Sequence, residues 1–411
     1  MEEQNIITGL DIGTNSICTV IGLQREGGIE VIGLSTVKSE GVNKGVVSNI
    51  DATTAHIKQA IEEAELMAGV EIDSVIAGVS GVHIKGMNSK GMVTISRKDR
   101  EISNDDVERA IMQAQTIQLP ADREIIHVLP REFLIDDQEG IKDPVGIAGT
   151  RLEVEVHIIT AAAAAVSNLK KAIDRAGLDV ERIVLQSLAA SEAALSADEK
   201  DLGVLLVDFG GGKTDVIVFN QSSVAHTSVL GVGAQHITQD ISYGLKTPLN
   251  AAEQLKKRSG YAVLDAVTAE EHVEVPSPGG RPPRMISRRL LAEIIQPRVQ
   301  ETADLVVQAV QMSGYKNAIG AGVVVCGGGA QLAGIEQCIE QHLSMPVRIG
   351  IPQGVHGPVD KINSPVFTTA VGLVKLGMQY RDFIPERRTM RKKADGEGIF
   401  GKMGSWLKDF F

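Results

Sequence analysis

With 411 residues, the chain is long enough for about two to four domains, each able to bury a core of its own. A formal net charge of −11 argues against general nucleic-acid binding, which needs a basic face. Local basic patches are still compatible with this net charge. The three cysteines lack metal-ligand spacing, the start does not resemble a signal peptide and no apolar run reaches the ~18 residues of a transmembrane helix, so we expect reduced thiols and a cytosolic protein.

The N-terminal stretch predicts two short strands joined by a polar turn. Apolar residues from Ile6 onward lead to Asp11 and Gly13, and a second apolar run ends at Gly22. Glycine leaves backbone N–H groups uncovered, so that an anionic oxygen can approach them. The residues that we expect at a phosphate are Asp11, Gly13, Thr14, Asn15 and Ser16. By itself, this hairpin is equally compatible with an ordinary glycine-containing turn.

A strand, a helix and a further strand complete a first βββαβ unit. The third strand is predicted at Ile29 to Leu34, the helix begins at the cap Asp51 and ends at Gly69, and the next strand is Val75 to Val79. The pattern then changes to short strands and an acidic loop, and we interpret residues 83–160 as an inserted subdomain. An alternation of apolar and polar residues near its end predicts a half-exposed strand.

An alanine-rich helix, predicted at Ala161 to Ala176, returns the chain to the first unit and stops before Gly177. The strand that follows, Ile183 to Gln186, delivers Gln186 into a run of small residues. Small residues permit the close approach of another helix, so this run is a candidate for tight packing.

A second hairpin, from Gly203 to Asn220, repeats the pattern of the first. Asp208 again stands two residues before a glycine, between two β-branched apolar runs. Asp208 is suited to hold Mg²⁺ through water, because magnesium bound with phosphates takes few protein carboxylates. The other residues expected at a phosphate are Gly210, Gly211, Gly212, Lys213 and Thr214. The two hairpins together favour a shared phosphate clamp between two related halves.

A Walker A loop is the alternative for this stretch, because Gly212, Lys213 and Thr214 match the end of that motif. The match fails at two points. Val207 stands where the motif needs glycine, and an apolar strand rather than a helix follows. The hairpin interpretation is therefore the better one.

The region after the second hairpin combines a charged helix with a basic loop. The helix is predicted to start with Thr247 as N-cap and Pro248 as its first residue, and to end at Gly260. Its charged residues include Glu253, Lys256 and Lys257. A solvated helix face is the simpler interpretation of such a cluster. The arginines of the proline-rich loop and of the next helix, bent at Pro297, are Arg281, Arg284, Arg288, Arg289 and Arg298, with Glu293 as the one opposing charge.

A third glycine-rich turn follows a strand at Val323 to Val325. The turn contains Gly327, Gly328, Gly329 and Gln331, and the helix predicted after it carries Leu332, Ile335 and Ile339. A strand that enters such a turn before a helix N-terminus can seat a nucleotide. A tight connection within an α/β sheet is the alternative.

These segments resemble the signature segments of the actin, Hsp70 and sugar-kinase superfamily. The counterparts are residues 11–14 and 208–212 for the two phosphate segments, 184–190 and 368–373 for the connecting helices, and 325–329 for the adenosine segment. The resemblance implies an α/β protein in which two actin-like, ribonuclease H-like domains enclose a cleft for ATP and Mg²⁺. It implies that Asp11 and Asp208 organise the Mg²⁺ and that Gln186 positions the attacking water. It further implies that Glu253, Lys256 and Lys257 contact the ribose or adenine.

Within that superfamily, the inserted segment is similar to that of the FtsA family of bacterial cell-division proteins. The similar stretches are residues 126–130, 135–144 and 278–284, and the resemblance covers residues 5–411. It implies an ATP-binding protein with at most weak ATPase activity that polymerises at the cytoplasmic face of the inner membrane, at the division septum. It also implies that the protein tethers the FtsZ ring and recruits other division proteins through the inserted subdomain.

Two residue-level expectations come with this resemblance. The C-terminal peptide of FtsZ is expected beside Arg284, Arg288 and Arg289. Ser16 and Cys18 stand in the region where the first phosphate loop of that family often carries a lysine, and Lys213 is the candidate replacement.

The same resemblance divides the chain into domains. The first actin-like core is expected at residues 1–82 and 161–198, the inserted subdomain at 83–160, the second core at 199–245 and 313–380, the small subdomain at 246–312, a flexible linker at 381–398 and an amphipathic helix at 399–411.

The C-terminal stretch predicts a membrane-binding helix. Residues 381–398 are basic and lack apolar periodicity, which is typical of a flexible tether. The apolar residues of the helix, Ile399, Phe400, Met403, Trp406, Leu407, Phe410 and Phe411, fall within an arc of roughly 140°. Such a segment is too short to span a bilayer but is suited to its interface, and a basic linker adds attraction to anionic lipid. Docking on the protein itself or on a partner helix is the alternative.

Two other functional classes are weighed against the assembly protein. A phosphotransferase of the sugar-kinase type needs a substrate-side general base, and no further motif supplies one. A pilus-assembly actin homologue is less compatible with the inserted segment and the tail.

Overall fold

A computed structural model describes residues 6–97, 99–268, 270–279 and 281–382 of the chain. The strands, numbered in chain order, are β1 (Ile6–Ile12), β2 (Ser16–Arg25), β3 (Gly28–Lys38), β4 (Val42–Asn43), β5 (Val46–Val47), β6 (Ser74–Val79), β7 (Lys85–Thr94), β8 (Arg123–Ile135), β9 (Gln138–Ile141), β10 (Arg151–Ala162), β11 (Asp179–Leu185), β12 (Val204–Phe209), β13 (Thr214–Asn220), β14 (Ser223–Leu230), β15 (His272–Val275), β16 (Arg284–Ser287), β17 (Val323–Cys326), β18 (Val347–Ile349) and β19 (Val355–His356). The α-helices are α1 (Ile50–Ala68), α2 (Asn104–Ala114), α3 (Ala163–Arg175), α4 (Gln186–Ala194), α5 (Ala197–Leu202), α6 (Ala234–Leu245), α7 (Leu249–Ser259), α8 (Arg288–Ser313), α9 (Ile335–Leu343), α10 (Val359–Ile362) and α11 (Thr368–Asp382).

Two sheets of the same design form the two halves of the molecule. The first has the order β11-β6-β1-β2-β3-β19, and the second has the order β14-β13-β12-β17-β18. Each half contains three consecutive antiparallel strands, and the first of the three also pairs with a later, parallel strand. This parallel partner is β6 for β1 and β17 for β12. The self-similarity of the two hairpins in the sequence therefore reflects two related α/β halves.

Helices α4 and α11 pack against each other between the two sheets. Gly372 of α11 lies so close to α4 that an ideal Cβ would stand 1.7 Å from the carbonyl oxygen of Ala189. Gly9 of β1 meets α11 in the same way, with 2.3 Å between its ideal Cβ and the carbonyl oxygen of Ala370. The run of small residues after Gln186 thus serves close packing, as the sequence predicts. Gln186 itself is the first residue of α4 and not the last residue of the strand.

The predicted caps differ from the observed ones by one or two residues. Helix α1 is capped by Asn49, whose side chain accepts a hydrogen bond of 3.1 Å from the Ala52 N–H, so the predicted cap Asp51 is wrong. Helix α7 has Pro248 as its cap, because the hydroxyl of Thr247 donates to the carbonyl of Pro276 instead. The α1 cap is therefore fixed by a local hydrogen bond, whereas a distant partner, the Pro276 carbonyl, takes the Thr247 hydroxyl away from α7.

The inserted segment forms a sheet of its own with the order β7-β10-β8-β9, covered by α2. Leu152, Val154, Val156 and Ile158 are fully buried in its core, which confirms the predicted alternation. Strand β10 continues through Ala161 and Ala162, because both pair with β8, so α3 starts at Ala163 rather than at Ala161.

A small α-rich region packs on the second half and consists of α6, α7, the hairpin β15–β16 and α8, which contains Pro297. The third glycine-rich turn continues as a short 3₁₀ helix, Gly328–Gln331, and α9 begins only at Ile335. Leu332 therefore lies before α9, contrary to the prediction. The residue bounds of the predicted domains stay predictions.

All three cysteines are buried and unpaired. Within the part of the chain that the structure describes, no helix combines the length and the apolarity needed to cross a membrane. Most of the predicted linker and the whole predicted amphipathic helix, residues 383–411, lie outside the described residues.

Candidate functional site

A cavity of about 490 Å³ opens between the two halves. Its volume falls in the range of about 300–1,000 Å³ that is typical of small-molecule sites. The predicted site residues that line it are Asp11, Gly13, Thr14, Asn15, Ser16, Gln186, Asp208, Gly210, Gly211, Lys213, Glu253, Lys256, Lys257, Gly327, Gly328, Gly329 and Gln331. The structure thus brings both hairpins, the third glycine turn and helix α7 to one place.

Two of the predicted site residues lie behind the cavity wall. Thr214 is fully buried, and its hydroxyl donates to the Val232 carbonyl at 2.7 Å. Gly212 packs against the first hairpin, where an ideal Cβ would stand 2.7 Å from the Thr14 hydroxyl. These two residues therefore shape the second hairpin and do not line the cavity.

The sequence did not predict every lining residue. Those it missed are Thr36, Ala234, Ile237, Leu332, Val366 and Thr369. Only Thr369, at the start of α11, lies in a segment that the superfamily resemblance had selected. The others are ordinary apolar or hydroxyl residues whose position depends on how the halves meet, so the sequence carries no signal for them.

Glycines allow the backbones around the cavity to approach one another. An ideal Cβ on Gly211 would stand 2.6 Å from the side-chain amide carbon of Asn15. On Gly327, whose φ is +81°, it would stand 2.2 Å from a carboxylate oxygen of Asp208. Gly328 differs, because nothing lies within 4 Å of its ideal Cβ. It lines the cavity, and a side chain at this position would have free space in front of it.

Two buried carboxylates face each other across the cavity floor. Burial raises the pKa of Asp11 to about 7, and repulsion from Asp208 adds to the shift. Burial also raises the pKa of Asp208 to about 6, against the attraction of Lys213. The Gln186 amide donates to a carboxylate oxygen of Asp11 at 2.7 Å. Gln186 therefore lies beside Asp11 at the cavity floor.

These carboxylates fit a hydrated Mg²⁺. Both present hard oxygen ligands, and burial raises the pKa of each although Lys213 attracts both. Among the residues that the structure describes, no group of three or more His, Cys, Asp or Glu side chains could enclose a metal by itself. An ion at this position would depend on water and on a bound phosphate for its other ligands.

The opposite end of the cavity is formed by α7 and α6. Lys256 lies 2.7 Å from Glu253 and donates to the Ala234 carbonyl at 3.1 Å and to the Thr238 hydroxyl at 2.9 Å. Burial lowers the pKa of Lys256. The solvated-face interpretation is therefore wrong for Lys256, although it holds for the side chain of Lys257, which is 63% exposed.

The predicted partner surface lies on β16 and the start of α8. The prediction that Glu293 alone opposes its arginines is wrong. The ion pairs are Arg288 with Glu271, Arg289 with Asp265 and Glu293, and Arg298 with Asp240 and Glu301. Most of these carboxylates lie on α6 or in the segment before β15, which folding brings next to α8. Arg284 donates to the Leu245 carbonyl.

Two α/β halves of repeated design, each with a hairpin that carries an aspartate to a shared cleft, define an actin-like protein. The fold is similar to solved structures of that class. A chain of the PilM-PilN type IV pilus biogenesis complex is 18% identical, with a TM-score of 0.64 over 90% of this chain and 98% of that one. The structure of MreB5 of Spiroplasma citri bound to ADP is 13% identical, with a TM-score of 0.52 over 90% of this chain and 95% of that one.

The chain belongs to the FtsA family of cell division proteins. The family model for cell division protein FtsA matches residues 205–372, and the model for the SHS2 domain inserted in FtsA matches residues 81–160. Cell division protein FtsA of Pseudomonas aeruginosa is 41% identical over 380 residues, which cover 92% of this chain and 91% of the relative. The FtsA of Neisseria meningitidis is 40% identical over 414 residues, with full coverage of both chains. The sugar-kinase and pilus-assembly alternatives are not favoured.

The raised pKa of Asp11 predicts how its replacement changes stability with pH. The folded protein holds the Asp11 proton up to about pH 7, whereas the ordinary value is 3.8, so this group destabilises the fold as the pH rises between those values. Asp11→Asn removes that cost. Since one pKa unit corresponds to about 1.4 kcal/mol, we expect the gain in unfolding free energy to be larger at pH 8 than at pH 5 by a few kcal/mol.

Urea denaturation of the nucleotide-free protein at both pH values measures this difference. The exposed Asp122 supplies the control, because Asp122→Asn removes the same charge from the surface. An equal gain at pH 5 and pH 8 for Asp11→Asn would contradict the assignment of a buried, protonated Asp11.

Proposed function

We propose that this protein is an ATP-binding, actin-like cell-division protein that polymerises at the inner membrane and links the FtsZ ring to it. The observation that carries the nucleotide part is the cavity between the halves, where two glycine-rich hairpins place Asp11 and Asp208 on one floor. MreB5, whose fold is similar, has been solved bound to ADP and, in another structure, to AMPPNP. Membership of the FtsA family supports the role in division.

In the proposed complex, the phosphates lie against the two hairpins and the base lies against α7. The Gly210 and Gly211 backbones and the turn at Thr14 and Asn15 face the phosphates. Asp11 and Asp208 hold a hydrated Mg²⁺, which would neutralise the carboxylates and polarise the phosphate when bound. Glu253, Lys256 and Lys257 contact the ribose or adenine, and Gln331 closes the same end.

Hydrolysis in such a site is at most weak. Gln186 is the residue placed to orient the attacking water, and an amide has no basicity to activate it. Its amide already donates to Asp11 at 2.7 Å, so it can position but not deprotonate a water. We therefore propose that ATP controls assembly, and that the protein is not primarily an enzyme.

Removal of the Asp208 carboxylate is expected to abolish the Mg²⁺-dependent part of ATP binding, because the second half then lacks its metal-organising group. Gly328→Val is expected to weaken binding by at least about tenfold, because the new side chain would project into the cavity from a position with nothing within 4 Å. Isothermal titration of ATP into Asp208→Ala and Gly328→Val measures both effects.

Gly27→Val is the matched control for the glycine variant. Gly27 also has nothing within 4 Å of its ideal Cβ but lies in the turn between β2 and β3, away from the cavity. Unchanged ATP affinity in both Asp208→Ala and Gly328→Val would place the nucleotide elsewhere.

The C-terminal peptide of FtsZ is proposed to bind the small subdomain, residues 246–312, beside Arg284, Arg288 and Arg289. Of the apolar residues at the start of α8, Leu290 supports such a surface because it is 42% exposed. Leu291 and Ile295 are core, and Ile294 packs partly buried against the same core. Arg289 is paired more loosely than Arg288, because its nearest carboxylates lie at 3.8 and 3.9 Å. An acidic, apolar peptide would compete for these arginines with their internal partners.

Charge reversal of Arg288 and Arg289 to glutamate is expected to weaken binding of that peptide and to reduce the salt dependence of its affinity. Fluorescence anisotropy with a labelled peptide at several salt concentrations measures both. Arg258→Glu, an exposed arginine on α7 of the same subdomain, is the control. Normal affinity and salt dependence in the double variant would move the peptide site to another surface.

Membrane attachment is proposed for residues 399–411, on the evidence of the sequence. A short helix that buries Trp406, Leu407 and its phenylalanines gains about 1.5–3 kcal/mol per large side chain before the cost of ordering the tail. A monomer would therefore bind reversibly. A filament presents many tails to one surface, which raises their effective concentration and holds the assembly on the membrane.

Trp406→Glu, which puts a charge in the apolar arc, is expected to release the protein from anionic vesicles and leave its ATP affinity unchanged. Ser405→Glu adds the same charge outside the arc and should retain most of the binding. Vesicle flotation with and without ATP makes the comparison. Flotation of the Trp406 variant at the wild-type level, or unfolding when residues 399–411 are removed, would assign the tail to the protein core.

A further inference from the structure

Lys213 is a buried lysine at the floor of the nucleotide cavity. Its residue is only 5% exposed, and its ammonium forms an ion pair with Asp215, which is fully buried. A lysine in such a place carries a large desolvation cost that an ion pair must offset. The site therefore holds a cation that is fixed by the fold and lines the cavity.

Residues of both halves hold this lysine in place. Asp215 lies on β13 of the second half, and its other carboxylate oxygen accepts a hydrogen bond from the hydroxyl of Ser80, directly after β6 of the first half. The turn at Gly45, where φ is +81°, covers the lysine stem, with 2.9 Å between an ideal Cβ and the Lys213 Cε. The chain Ser80, Asp215 and Lys213 thus crosses the cleft between the halves.

Buried carboxylates outnumber the ammonium group around Lys213. Three buried carboxylates, on Asp11, Asp208 and Asp215, influence one ammonium group, and burial opposes its charge while their attraction raises the pKa of Lys213. The same ammonium lowers the pKa of Asp11 and of Asp208 against the effect of burial. Lys213 therefore neutralises part of the negative charge that a nucleotide would meet.

We propose that Lys213 is a fixed cation for the terminal phosphate, exchanged between Asp215 and that phosphate, so that nucleotide binding depends only partly on Mg²⁺. This inference rests on the proposed binding of ATP. Asp215 acts as the positioning residue that holds the ammonium at the floor of the cavity, and Ser80 positions Asp215. When the phosphate draws the ammonium toward itself, the link from Asp215 to Ser80 in the other half changes with it.

The experiment compares ATP and ADP affinities, in Mg²⁺ and in EDTA, for the wild type, three variants and one control variant. Lys213→Met is expected to weaken ATP binding in EDTA by about tenfold or more, the effect of one charged hydrogen bond, and to weaken ADP binding less. Asp215→Asn is expected to strengthen ATP binding in EDTA several-fold, because the lysine loses its internal competitor and the cavity loses a negative charge.

The double variant Lys213→Met, Asp215→Asn distinguishes the loss of the contact between the Lys213 ammonium and the phosphate from a change in the net charge of the cavity. It removes one cation and one anion, so the cavity keeps the wild-type net charge. Unlike Lys213→Met alone, it does not leave the Asp215 carboxylate buried without its ion-pair partner. We expect it to fold and to bind ATP in EDTA about tenfold more weakly than the wild type. Lys44→Met, on the turn that covers Lys213, removes the same charge outside the cavity and serves as the control.

Wild-type affinity of the double variant for ATP in EDTA would overturn the proposal and leave Lys213 as a structural partner of Asp215. A wild-type protein that binds ATP in Mg²⁺ but not at all in EDTA would overturn it as well. A wild-type protein that binds no ATP even in Mg²⁺ would instead refute the proposed nucleotide function.

Discussion

The structure depends on the close approach of two backbones between its halves. Helix α11 lies against α4 with room for a hydrogen atom and nothing larger at Gly372, where an ideal Cβ would stand 1.7 Å from the Ala189 carbonyl oxygen. Because interiors are close-packed, one additional methyl group at such a point must displace backbone. The approach of these helices fixes the spacing of the two sheets, and that spacing sets the width of the cleft above them.

Burying two carboxylates at the cleft floor costs the folded protein free energy. Burial raises the pKa of Asp11 and of Asp208 toward neutrality, because the attraction of Lys213 offsets only part of the desolvation cost of the two carboxylates. A ligand that brings cations, such as a nucleotide with Mg²⁺, relieves this cost on binding.

The inserted subdomain also contacts the second half. His157 of β10 lies 2.9 Å from the Thr227 hydroxyl on β14, and the Ser223 hydroxyl donates to the Arg131 carbonyl at 2.9 Å. The subdomain is covalently part of the first half, since β10 leads directly into α3. It therefore touches both sides of the cleft, and a change in their separation would alter the distances at this contact. Partners that bind the inserted subdomain would in this way meet a surface that is sensitive to the state of the cleft.

The sequence alone determined the elements whose signal is local. Paired hairpins with an aspartate two residues before glycine, the alternation in β10 and the small residues of α4 follow from chain periodicity and glycine content. The hairpins and the third glycine-rich turn supplied most of the cavity lining, and the superfamily resemblance added Gln186, Glu253, Lys256 and Lys257. Tertiary structure decided what depends on distant neighbours. It took the Thr247 hydroxyl to the Pro276 carbonyl and away from the start of α7, and it paired Arg288 with Glu271. It also placed Lys213 between Asp215 and Ser80, because burial and charge pairing arise only when segments far apart in the chain meet.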